Sequence, residues 1–83
     1  MTLQINQQQI CLALNNPLRC WIIELLQSHS ALSSTDLASL LHISLGKCHY
    51  HLDNLDGLIK QDNEKRYFLT EEGKRAFQLL IKL

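Results

Sequence analysis

The stretch SSTDLASLLHISLGKCHYHLDNL, residues 33–55, leaves few folds open. Ser33 with Asp36 three residues on has the form of a capping box, Asp replacing the usual Glu. It opens a short helix whose Leu37, Ala38, Leu40 and Leu41 make a narrow inward face. His42 ends that helix, and His42 with Ile43 form a tight turn. Ser44 then caps a second helix, in which Cys48, Leu52 and Leu55 recur at i, i+4 and i+7 as a buried stripe. Leu45, Gly46, Lys47, His49, Tyr50 and Asp53 fall around the outward side. A helix so anchored from below and so short is placed to be presented to something outside the molecule.

The flanks complete a unit. Residues 1–16 read as an N-terminal extension, with a short helix over 7–14 on which Ile10 and Leu14 share a face. Asn16 before Pro17 is a strong helix start, a capping side chain followed by proline at the first helical position. The helix is expected to run to about Ser28. Leu18, Trp21, Ile22, Leu25 and Leu26 form one buried stripe, and Cys20 and Ile23 add a second. After the second short helix, Gly57 stands where a left-handed C-terminal residue is wanted, and Leu58 and Ile59 re-enter the core. Lys60–Asp62 should pair with Arg66–Leu69 across Asn63, Glu64 and Lys65, so that residues 59–69 form a short hairpin. Thr70 then opens a last helix over 70–83, with Glu71 and Glu72 in its first turn and Ala76, Phe77, Leu80 and Ile81 on its apolar face.

The expected fold is therefore mainly α with a small β-hairpin wing, an α+β winged helix-turn-helix spanning residues 1–83 as one domain. The usual target of a protruding second helix in that arrangement is a DNA groove. The chain's 83 residues, 46% apolar and 19% charged, suit one small soluble domain. A chain of this size buries only about 60% of the surface that its unfolded form exposes, so a partner subunit is expected. No apolar run approaches the roughly 18 residues needed to cross a bilayer. The start MTLQINQQQ lacks the pattern of a signal peptide, and the expected location is the cytoplasm.

Cys11, Cys20 and Cys48 are odd in number and sit in apolar helical patterns, which fits small buried side chains in a reducing compartment rather than a disulfide framework. Eight basic residues balance eight acidic ones, which limits any nonspecific grip on nucleic acid. The balance hides a gradient. Lys60, Lys65, Arg66, Lys74, Arg75 and Lys82 lie in the wing and last helix, whereas Arg19 and Lys47 are the only bases before them.

Three stretches carry a resemblance to the ArsR-type winged-helix repressors and the small archaeal winged-helix regulators related to them. ALNNPLRCWIIELLQ resembles that family's first long helix, LSSTDLASLLHISLGKCHYHLDNLDGLI its helix-turn-helix, and KRYFLTEEGKRAF its second wing strand and closing helix. Together they cover nearly all of residues 13–77. The resemblance implies sequence-selective binding of duplex DNA by a homodimer, with the second short helix in the major groove and the wing near the backbone or minor groove. It implies contacts by Ser44, Leu45, Gly46, Lys47, His49 and Tyr50, with Lys65 and Arg66 at the wing. His42 stands where the family usually has a turn glycine, Trp21 and Leu18 occupy places commonly polar, and the metal-sensing cysteine pair is absent from ALSSTDLASLL.

Each candidate has a plainer reading beside it. Ser44, Lys47, His49 and Tyr50 either meet phosphates and base edges or form a solvated helix face. Lys65 and Arg66 either meet phosphate or are merely polar turn residues. Leu18, Trp21, Phe77, Leu80 and Ile81 either build a dimer interface or close one protomer's core. His42, His49 and His51 lie close in sequence, but His49 and His51 point to different helix faces and lack zinc-ligand spacing. His51 is expected to be a half-buried packing residue, and no metal or other cofactor is expected. A pH-sensitive affinity is a further expectation from these histidines. No phosphate loop or catalytic triad is visible, and an enzyme is not expected. The reading that results is a homodimeric repressor of transcription bound to duplex DNA; the alternative is an adaptor that uses the same faces to bind protein.

Overall fold

The computed structural model describes residues 14–81. The expected helix over 7–14 lies, all but its last residue, outside them, as does the end of the last helix at 82–83.

The first helix, α1, runs Pro17–His29. Its start is the one the sequence requires: the Asn16 carboxamide oxygen accepts the Leu18 N–H at 2.8 Å, and proline occupies the first turn, where a missing N–H goes unused. Ser30, at φ 69°, turns the chain out of the helix into β1, Leu32–Ser33. Ser33 is both a strand residue and the cap of α2, Ser34–Leu41. Its hydroxyl accepts the Asp36 N–H at 3.1 Å while the Asp36 carboxylate accepts the Ser33 N–H at 3.3 Å, a complete capping box.

His42 closes α2 in the left-handed conformation at φ 57° and ψ 44°. Its N–H and that of Ile43 return to the carbonyls of α2, satisfying acceptors left open at the helix end. A side chain other than glycine is strained there, and histidine is among the residues that accept it. Ser44 then caps α3, Leu45–Asp53, through its hydroxyl and the Lys47 N–H. This helix ends at Asn54, whose side-chain amide donates to the Tyr50 carbonyl at 2.9 Å. Gly57 is not the residue that closes the helix. It lies three positions past Asn54, at φ 90°, in the turn where the Leu58 N–H reaches the Leu55 carbonyl.

The wing strands are β2, Ile59–Gln61, and β3, Arg66–Leu69. The register is the expected one, with Lys60 opposite Phe68 and Gln61 opposite Tyr67, but the first strand opens one residue earlier, at Ile59 opposite Leu69. Asp62 leaves the strand because its Oδ1 accepts the backbone N–H groups of both Glu64 and Arg66, which folds the turn around its carboxylate. The sheet also has a third strand that the sequence pattern did not reveal: β1 pairs antiparallel with β3, giving the order β1-β3-β2. Two residues are too few to show a period of two. The last helix, α4, runs Glu71–Leu80 under a Thr70 cap.

Ile22, Ile23 and Leu26 from α1 meet Leu37 and Ala38 from α2, Cys48 and Leu52 from α3, and Leu55, Leu58, Ile59, Leu69 and Ala76 in one core. Three expected inward faces are rotated. Trp21 is 50% exposed and Leu40 49% exposed, so α1 turns Ile22 and Ile23 inward together and α2 relies on Leu37 and Ala38. On α4 the innermost residues are Gly73 and Ala76, while Phe77 and Leu80 are partly buried against the core and Ile81 is exposed. The rotation of α4 follows from contact distance. Gly73 lets the helix lie directly on the Leu58 carbonyl, against which a larger residue would collide.

Candidate nucleic-acid interface

The outward side of α3 is built by its anchoring side. Cys48, Leu55 and Leu52 are sealed in the core, which leaves Leu45, Gly46, Lys47, His49 and Tyr50 exposed, with Ser44 at the N-cap. Leu45 is half exposed and Tyr50 more so. Around Gly46 an added Cβ would meet nothing, so the second position of the helix faces open space. The N-terminal end of the helix carries a partial positive charge from its unpaired N–H groups, and Lys47 adds a full one. The other end is opposite in character: Asp53 and Asp56 line a groove of about 480 Å³ between α3 and the wing, facing Lys60. An anion approaching this surface is drawn to the Ser44–Tyr50 half and repelled from the Asp53–Asp56 half.

At the wing, Lys65 sits at the tip with φ 63°, exposed. Arg66 is engaged within the hairpin, its Nε 3.2 Å from Asp62 Oδ2 and its Nη2 3.5 Å from Glu64 Oε1. The two wing cations predicted from sequence are therefore not equivalent. The Arg66 backbone N–H, then that of Glu64 and the guanidinium, hold the Asp62 carboxyl below its usual range despite some desolvation.

Sequence reasoning missed Arg19. From α1, its Nε donates to His51 Nδ1 at 3.2 Å, and its guanidinium carbon lies 5.9 Å from the centroid of the Tyr50 ring. The Tyr50 and His51 rings meet edge to face, centroids 5.3 Å apart. His51 is not half-buried as expected but 3% exposed. Because Arg19 can only donate, His51 Nδ1 must be unprotonated and the ring neutral with its hydrogen on Nε2. Nε2 is buried without a hydrogen-bond partner, a loss of about 1–3 kcal/mol. Burial, then the charges of Arg19 and Lys47, lower the pKa of His51. The available signal in the sequence was position: Arg19 precedes Ile22, Ile23 and Leu26 by three, four and seven residues, which puts a base on the buried stripe.

Of the residues assigned by sequence to a dimer interface, Phe77 and Leu80 pack on the protomer's own core, Leu18 is partly buried, and Trp21 and Ile81 are exposed. Trp21, Leu25, Leu40 and Leu41 line an open groove of about 430 Å³ with Glu24 and His42 at its edge. Burial raises the pKa of Cys48 and, with the Glu24 charge, of Cys20, which keeps both as thiols. Among the described residues no three His, Cys, Asp or Glu side chains are grouped to hold a metal ion, and no helix is long and apolar enough to cross a membrane.

Residues 22–60 match a family model described as winged helix-turn-helix DNA-binding. The structure is similar to that of the YusO protein from Bacillus subtilis, with a TM-score of 0.75 and 17% identity, over 92% of this chain and 62% of that one. It is similar also to RV1404 from Mycobacterium tuberculosis, with a TM-score of 0.74 and 20% identity, over 90% of this chain and 58% of that one. The chain thus spans about three fifths of the length of either. No curated protein matches it by sequence. At these identities the likeness is one of fold, and the fold is an α+β winged helix-turn-helix.

Proposed function

We propose that the protein binds duplex DNA with sequence selectivity as a homodimeric regulator of transcription, acting as a repressor by blocking access to the bound site. The observation that carries this reading is the exposed half of α3, Ser44 to Tyr50, with its helix N-terminus and Lys47 directed outward while Cys48, Leu52 and Leu55 fix it from below. The family model matched over residues 22–60 supports the same partner. In this reading Leu45, Gly46, His49 and Tyr50 meet base edges and sugar-phosphate in the major groove, and Lys47 and the Ser44 hydroxyl meet phosphate. Lys65 reaches the flanking backbone, and Arg66 joins it by exchanging Glu64 for a phosphate.

A dimer places two α3 helices in successive major grooves, about 34 Å apart. The exposed Trp21 and Ile81, with Leu18, support a second copy as the partner of α1 and α4. The ArsR-type assignment rests on the Asn16-Pro17 start of α1 and on the KRYFLTEEGKRAF passage from wing to α4. A location in the cytoplasm follows from the function.

Selection of bound duplexes from a random pool, followed by titration of the winning sequence, tests the proposal. Recovery of a palindromic site, bound more weakly as salt rises, is the expected result. Retention of no duplex at low salt would overturn it, and would leave the exposed face to a protein partner.

A further inference from the structure

The Arg19, His51 and Tyr50 side chains form a contact that joins α1 to the exposed face of α3, across 32 residues of sequence and partly outside the matched segment 22–60. We propose that Arg19 is a positioning residue for DNA selectivity: it holds the Tyr50 ring in one orientation on the reading face while using the buried His51 as its anchor. The inference rests on the DNA-binding reading above.

Tyr50 is 60% exposed and would otherwise sample several rotamers on an open helix surface. Its ring has two neighbours that restrict it, the edge of His51 at 5.3 Å and the guanidinium of Arg19 at 5.9 Å, and His51 is itself fixed by burial. The hydrogen bond from Arg19 Nε uses the edge of the guanidinium, which leaves its plane to lie by the phenol ring. A lysine ammonium has no such plane: its charge and its donors sit on one atom, so it does not reproduce a bond to His51 from one edge with a flat face beside the ring. A reading side chain held before binding loses less entropy on binding, and it discriminates between sequences because it cannot swing to suit each one.

The test compares the full wild-type chain with Arg19→Lys, Tyr50→Leu and the double variant. Each is titrated by fluorescence anisotropy with the duplex selected by the wild type and with a scrambled duplex of equal length, over a range of salt. Arg19→Lys should reduce the preference for the selected duplex by about tenfold, within the span of one lost base contact. Its salt slope should be unchanged, because the charge is kept. In the Tyr50→Leu background the same replacement should have no further effect on preference. In nitrogen NMR spectra of the protein without DNA, His51 Nδ1 should be unprotonated in the wild type and shifted in Arg19→Lys.

An unchanged preference overturns the inference, as does an equal loss for both duplexes, which marks a structural role. Additive effects of the two replacements also overturn it. Wild-type protein that binds neither duplex overturns the DNA reading itself and this inference with it.

Discussion

Two glycines on exposed and buried helix faces show how little a residue type says without its surroundings. At Gly73 an added Cβ would be driven into the Leu58 carbonyl, a backbone group that is itself held by the Thr70 N–H at 3.0 Å. Gly73→Ala should therefore lower stability by about 3 kcal/mol, at the upper end for overpacking, seen as an earlier midpoint in urea. At Gly46 the same methyl meets nothing. Gly46→Ala should raise stability by about 0.5–1 kcal/mol through helix propensity alone, while lowering DNA affinity if a phosphate or base edge approaches that side. A thermal melt and a binding titration on one variant separate the two effects. His51 makes a prediction in pH. Its pKa is lowered in the folded chain from the ordinary value of 6.5, so below that pH the unfolded chain takes up a proton that the folded chain refuses. The contribution is present above about pH 6.5 and is lost as pH falls through the folded pKa. Urea unfolding at several pH values should show this decline in the wild type, and His51→Gln, which keeps an acceptor for Arg19, should lack it.

At the scale of elements, what the sequence disclosed was what depends on near neighbours. The caps at Asn16, Ser33, Ser44 and Thr70 are local chemistry, a side-chain oxygen two or three residues from the N–H it accepts, and all four sit where the pattern puts them. The inward stripe of α3 was equally legible, since Cys48, Leu52 and Leu55 need only helical spacing to share a face. Features that depend on distant partners were not. The strand β1 exists because Ser33 and Leu32 meet Arg66 and Tyr67, and Leu40 is exposed because nothing in the described fold covers that side of α2. The Arg19–His51 bond is hidden for the same reason. The wing shows what this means for function. Its carboxylates Asp62 and Glu64 both engage Arg66, but only Asp62 also holds the turn. Glu64→Gln should leave the fold and the Asp62–Arg66 pair intact while releasing the Nη2 end of the guanidinium, raising DNA affinity roughly two- to five-fold at low salt, the scale of one exposed ion pair. Asp62→Ala should instead loosen the hairpin, measurable as faster amide exchange at Arg66 and Glu64.

For the whole molecule, a net charge of zero means that any attraction for DNA comes from arrangement rather than total charge. Basic and acidic groups are separated along α3, with Lys47 in the first half and Asp53 and Asp56 at and beyond the far end. This separation limits how many phosphates one chain neutralises, so affinity should be modest, and the proposed dimer would add a second set of contacts on the same duplex. The count of protomers is then readable from salt dependence. Each phosphate contact contributes about 0.9 to the slope of log K against log salt on duplex DNA. If Lys47 meets one phosphate per protomer, Lys47→Ala should make the slope shallower by about two for a dimer on its palindromic site, and by about one on an isolated half-site. The ratio between those two changes does not depend on how tightly either variant binds. A change of about one on both duplexes would mean that a single chain binds, and would remove the dimer from the mechanism while keeping Lys47 in the groove. No change on either would place Lys47 away from the phosphates, and the outward half of α3 would then need another account.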